Sequence, residues 1–310
     1  MMSMEQENRE PASPEIQREL TPNKTKKTIK GWVRLLILIL PYIFIVGIFE
    51  IIGGYVAGYS FYDLTDIQSL RDLNILQFFN LTGTCVVLYL MMRFVDREAF
   101  INLGFHTKSR TPDILIGTLL GLGIMTCAFV VLQSFGFITV EEVDFSGSDL
   151  ILLILLFVFV AFAEEMLLRG YVLKNLMLSM NKHVALIVSA LIFSVMHALN
   201  PNFSWITLIS LFLAGIGLGA TYIYTKNLWF PIAYHFSWNF FQSLVGFNVS
   251  GLDIYSVIVT EESGPDLLTG GAFGLEGSIL GIIAEVLIIA GIIIHFELKN
   301  KKAMTKEIGA

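Results

Sequence analysis

Charged residues are scarce in this chain: Asp, Glu, Lys and Arg make up 15% of it, against roughly 25% in an ordinary soluble domain. Cysteine is nearly absent, with two among 310 residues, so no disulfide framework and no CxxC pair can be built. Cys85 and Cys127 both fall in apolar stretches and read as small packing residues. Strands of alternating polarity are missing, which excludes a membrane β-barrel. No repeat of about 20–50 residues and no second domain is visible. No short apolar leader with a small-residue cleavage site stands near the start, so the first apolar run is expected to stay as an anchor. Lysine and arginine are rare in every second loop, and there the acids dominate. The net charge of -6 therefore reflects acidic external loops and gives no reason to expect a nucleic-acid partner.

What the chain has in abundance is long apolar runs, hydrophobic residues making up 55% of it. A helix needs about 20 mostly apolar residues to cross a bilayer core of roughly 30 Å. Runs of that kind lie near 33–57, 74–95, 113–138, 149–169, 184–200, 204–224, 228–248 and 276–297. The expectation is an all-α integral membrane protein, a bundle of about eight transmembrane helices. Residues 1–30 are polar, proline-bearing and mixed in charge, the mark of a disordered tail; 31–298 form the polytopic membrane domain and 299–310 a second tail.

Basic residues near helix ends tend to stay in the cytoplasm. Lys24, Lys26, Lys27, Lys30 and Arg34 precede the first run; Arg93, Arg97, Lys108 and Arg110 follow the second; Lys174 and Lys182 follow the fourth. Lys226 follows the sixth, and Lys299, Lys301, Lys302 and Lys306 close the chain. With an even number of helices, all of these share one side, so both termini are expected in the cytoplasm of a multi-pass cell-membrane protein. Asp63, Asp66, Asp72, Glu141, Glu142, Asp144, Asp253, Glu261, Glu262 and Asp266 lie on the other side, with Arg71 as its base. Gly117, Gly121 and the run AGIGLGA from Ala214 to Ala220 put small residues where helices approach closely.

A charge at the bilayer centre costs from about 2.5 to well over 10 kcal/mol, so an intramembrane ionisable group normally faces a partner or a wet cavity. The set here is Glu50, Glu164, Glu165, Arg169, His197, His235 and Glu285. Glu165 and Arg169 stand one helical turn apart and share a face, as an ion pair would. Glu164 projects about 100° away and cannot easily share that arginine. An unpaired carboxylate at depth suits a general base, because desolvation tunes it toward neutral pH. His197 follows Phe193 by one turn, and Asn239 follows His235 by one turn. Each histidine alone reads as a hydrogen-bonded packing residue; two histidines, an asparagine and a spare glutamate in adjacent helices read together as a site.

YVLKNLMLSM, from Tyr171 onward, contains no helix breaker, so the fourth helix is expected to run on to a turn near 180–182. Glu164 and His197 then each lie roughly 24 Å from that turn and face each other across an antiparallel pair. His235 lies only roughly 10 Å into its helix, which fits if the hairpin projects about 14 Å into the cytoplasm. The site would then sit about 10 Å below the cytoplasmic surface, and Asn200-Pro201-Asn202 would be irregular backbone at depth.

Glu164-Glu165-x-x-x-Arg169, Phe193-x-x-x-His197 and His235-x-x-x-Asn239, in that order in successive helices, resemble the motifs of the CPBP family of intramembrane proteases. That family includes the type II CAAX prenyl endopeptidases and bacteriocin-processing relatives. GIGLGATYIYTKNLWFPIAYHFSWN resembles the family's connecting stretch, and the likeness covers about 150–245. The resemblance implies hydrolysis of a peptide bond in an intramembrane cavity open to the cytoplasm, in a membrane-associated peptide or protein substrate. In a metal-free version Glu164, helped by His197, would activate water while His235 and Asn239 stabilise the oxyanion, with Glu165 and Arg169 as braces. In a zinc version His197 and His235, with Glu165, would hold the ion and leave Glu164 as base, without the HExxH spacing of soluble zinc proteases. Two other readings stay open: a proton-coupled transporter, which would give Glu50 and Glu285 a role, and a non-catalytic scaffold or immunity protein.

Overall fold

The computed structural model describes residues 29–60 and 69–308. The tail expected over 1–30 lies almost wholly outside them, as do Asp63 and Asp66. Helices α1 (Gly31–Ala57), α2 (Leu70–Leu90), α3 (Thr111–Ser134), α4 (Gly147–Glu165), α5 (Lys182–Met196), α6 (Trp205–Thr225), α7 (Trp229–Leu244) and α8 (Ile279–Ile308) form the bundle. Each corresponds to one of the eight apolar runs, yet among the described residues six are long and apolar enough to cross a membrane. The count of about eight spans is corrected accordingly: α5 has 15 residues and α7 has 16. The face that α7 turns inward is buried along its whole length, from Phe230 to Ser243.

Capping sets most of the ends. Ser69, Ser146 and Ser204 accept a hydrogen bond from the backbone N–H three residues on, opening α2, α4 and α6, the usual role of serine at a helix start. Asn181 caps α5 in the same way through His183. Gly58, at φ +98°, closes α1 in the left-handed region that glycine enters without steric cost. The run expected over 113–138 stops at Ser134 because Gly136 turns the chain into β1 (Ile138–Val143), which pairs antiparallel with β2 (Ile258–Glu262). The expected tail 299–310 is helical through Ile308 as part of α8.

α4 does not stop at Arg169. It continues through a π-helical stretch, Met166–Leu173, and a last turn, Lys174–Leu176, before the hairpin turn into α5. All eight π-helical residues are buried. The small residues act as expected: a Cβ on Gly117 would meet the Tyr234 nitrogen at 2.9 Å, one on Gly121 would overlap Ser237, and one on Gly215 would meet the Ala190 Cα at 2.8 Å. α3 thus lies directly against α7, and α6 against α5.

The two ends of the bundle are tied separately. At the basic end Arg34 reaches Asp96 at 2.6 Å and Asn175 at 3.3 Å, and Lys174 reaches Glu98 at 2.6 Å. Lys182 sits 4.0 Å over the Tyr224 ring, so the starts of α1 and α5 and the ends of α2, α4 and α6 gather there. At the acidic end Asn74 donates to the Leu152 carbonyl at 2.9 Å, and the Tyr255 hydroxyl accepts from the Ser146 nitrogen and donates to the Asp144 carbonyl, both at 2.8 Å.

Candidate active site

α4, α5 and α7 bring the motif residues together. As the hairpin count anticipates, His197, in the turn just past α5, places Nε2 3.9 Å from Glu164 Oε2. His235, in α7, places its own Nε2 3.9 Å from the same oxygen. The other nitrogens are engaged elsewhere. His197 Nδ1 lies 2.8 Å from the Phe193 carbonyl, and His235 Nδ1 lies 2.8 Å from Glu165 Oε1. Each ring therefore carries a proton on Nδ1 and turns Nε2 toward Glu164, because a carbonyl or carboxylate accepts and so fixes the tautomer.

The adjacent glutamates live in different surroundings. The Glu165 side chain is 0% exposed and accepts from Arg169 Nη1 at 2.8 Å, while Glu164 is 28% exposed. Among the described residues Glu164 Oε2, a buried atom, has no hydrogen-bond partner. Arg169, also buried, donates to the Gly215 carbonyl at 3.3 Å and stacks 4.6 Å over Phe193. Phe193 contacts both imidazoles, with centroids 4.7 Å from His197 and 6.2 Å from His235. Asn239, one turn beyond His235, lines the same cavity and makes no side-chain hydrogen bond to another described residue.

A cavity of about 270 Å³ holds Glu164, His197, His235 and Asn239. Its walls are Leu73 and Gln77 of α2, Leu156 and Val160 of α4, Asn200, and the loop carrying Val249, Ser250, Leu252 and Ile254. These belong to the acidic end. Toward the basic end the buried stretch Met166–Leu173 closes it, packed through Gly170 against Leu103 and Leu228. The Tyr222 hydroxyl holds that plug by donating to the Leu103 carbonyl at 2.9 Å. The resemblance implies a cavity open to the cytoplasm; the lining of this one extends from Glu164 toward the acidic end, to Asn200 and the loop around Ser250.

Glu276 is the site residue that the sequence did not announce. It lies in the 3-10 turn Leu275–Gly277, before α8, and is 7% exposed. Its Oε2 accepts from the Ser250 nitrogen at 2.9 Å and the Ser250 hydroxyl at 3.0 Å, tying the cavity rim to the base of α8. The available signal was one carboxylate amid Gly270, Gly271, Gly274 and Gly277, a composition that folds chain tightly; Gly274, at φ +98°, passes directly over the Asn248 backbone. The other intramembrane acids have ordinary partners. Glu50 accepts from Asn80 at 2.6 Å between α1 and α2, and Glu285 accepts from the Tyr234 hydroxyl at 3.1 Å.

The three side chains that a zinc version would use, His197, His235 and Glu165, do not point at one place. Glu165 addresses His235 Nδ1 and Arg169, not the side where the two Nε2 atoms point. Among the described residues no group of three or more His, Cys, Asp and Glu side chains is arranged to hold a metal. A catalytic zinc takes three protein ligands; with two imidazoles here, Glu164 would have to serve as both ligand and base.

Residues 146–241 match the family model described as type II CAAX prenyl endopeptidase Rce1-like. That span contains Glu164, Glu165, Arg169, Phe193, His197, His235 and Asn239, and it supports a CPBP-family intramembrane protease. No curated protein and no solved structure matches the chain.

Proposed function

We propose that this multi-pass membrane protein is an intramembrane endopeptidase in which Glu164 is the general base. The observation that carries the reading is the convergence of two imidazole Nε2 atoms, each at 3.9 Å, on one carboxylate oxygen that is itself buried and has no hydrogen-bond partner among the described residues, on a side chain that lines the cavity. That gap is too long for a direct hydrogen bond and suits a bridging water.

A water held between Glu164 Oε2 and His197 Nε2 donates one hydrogen to each. Glu164 takes its proton as the oxygen attacks the scissile carbonyl carbon, and the carbonyl becomes an oxyanion. Asn239 Nδ2–H and a second proton on His235 Nε2 donate to that oxyanion as its charge develops. The Glu165 carboxylate on Nδ1 balances the positive ring that this second proton creates. When the C–N bond breaks, Glu164 returns its proton to the leaving nitrogen, giving an amine and a carboxylic acid that keeps the water's second hydrogen, which His197 Nε2 then accepts as the acid ionises. No step passes through a metal, since the ligand set is incomplete without the base.

The test is purified protein in detergent with candidate peptides, compared with Glu164→Gln. Cleavage should fall at least about 100-fold, the lower range for loss of a general base. Equal cleavage by both proteins would defeat the mechanism, and ion flux in sealed proteoliposomes without cleavage would point to transport.

A further inference from the structure

We infer that the peptide substrate reaches this site from the extracytoplasmic face, so that the substrate class is an exported or membrane-anchored peptide exposed outside, not a C-terminal peptide presented in the cytoplasm. "Substrate" here rests on the protease reading above; the direction of access does not.

Sidedness comes first. Arg34–Asp96, Arg34–Asn175 and Lys174–Glu98 fasten one end of the bundle, and the basic residues Arg97, Lys108, Lys174, Lys182, Lys226 and Lys299 lie at or beside the helix ends on that side. Basic residues within short loops set membrane orientation by staying in the cytoplasm. The end bearing β1, β2 and the loop around Ser250 is acidic and is therefore the outer one.

The cavity supplies the second half. From Glu164 toward the basic end the chain is buried without a break from Glu165 to Leu173, and Leu103, Leu228 and Tyr222 behind it have no exposed surface. From Glu164 toward the acidic end the lining runs through Val160 and Leu156 to Asn200 and to Leu252, which is 43% exposed. A polar peptide backbone cannot pass a tightly packed, buried stretch without losing its hydrogen bonds, so the side on which the lining reaches the exposed Leu252 is the route.

The experiment uses the full chain in intact cells, with Cys85→Ala and Cys127→Ala as background and single cysteines at Leu252, Val160 and Lys182. The probe is a small, charged, membrane-impermeant thiosulfonate. Leu252→Cys at the rim and Val160→Cys, one turn above Glu164, should react before permeabilisation, and Lys182→Cys only after it. Reaction of Val160→Cys only after permeabilisation, or not at all in protein that keeps its detergent melting temperature, overturns the inference; so does reaction of Lys182→Cys in intact cells. Because labelling is read without any cleavage, its failure is distinct from failure of Glu164→Gln to abolish proteolysis.

Discussion

At the scale of single residues, neighbouring glutamates do opposite work. Glu165 is fully buried between Arg169 and His235, and removing one partner from a buried charge group typically costs about 3–5 kcal/mol. Glu165→Gln should therefore lower thermal stability in detergent and yield of folded protein. The Glu164 side chain is part-exposed and its Oε2 has no partner among the described residues, so Glu164→Gln should melt close to wild type while losing activity; a large drop in its melting temperature would contradict that division. Glu276 binds the rim through two hydrogen bonds from Ser250, and bonds to a charged group are worth roughly 1.5–3 kcal/mol. Glu276→Ala should loosen that loop, seen as faster protease nicking between residues 245 and 257. Removing metals should change little: after exhaustive chelation, cleavage by the purified protein should persist, and loss restored by added zinc would reinstate a metal role.

At the scale of elements, the site depends on how α7 is held. It carries His235 and Asn239 and is seated against α3 where Gly117 and Gly121 leave room only for backbone. Gly121→Leu should push α7 away, costing roughly 1–3 kcal/mol as overpacking does and lowering activity by misplacing both side chains; a variant with unchanged melting and cleavage would show that the contact is dispensable. The helices were legible because apolar runs of membrane length are unambiguous. Their ends were less so. The third run, expected over 113–138, overshoots Ser134 because Phe135, Phe137 and Ile138 continue its apolar character, and β1, which starts at Ile138, has its partner far along the chain. The π-helical stretch was also hidden: Met166–Leu173 reads as ordinary helix, and no local pattern marks that it packs against α5 and the 3-10 turn Phe100–Leu103.

At the scale of the whole molecule, the two ends differ in charge and in openness. If the basic end is cytoplasmic, a fluorescent protein fused after Ala310 should glow and an alkaline phosphatase fused there should be inactive; the reverse pattern would invert the membrane orientation. The sequence alone determined the membrane-embedded helical class, because lipid admits few other structures for such runs. It also determined the ion pair of Glu165 with Arg169 and the level of Glu164 with His197, since both follow from helical spacing and a countable hairpin. Only the tertiary structure decided that Glu276 joins the cavity, that Glu165 addresses His235 Nδ1, and that the cavity lining extends toward the acidic loops. Those three depend on how helices distant in sequence diverge and which gaps their side chains fill, and no local pattern in the chain encodes them.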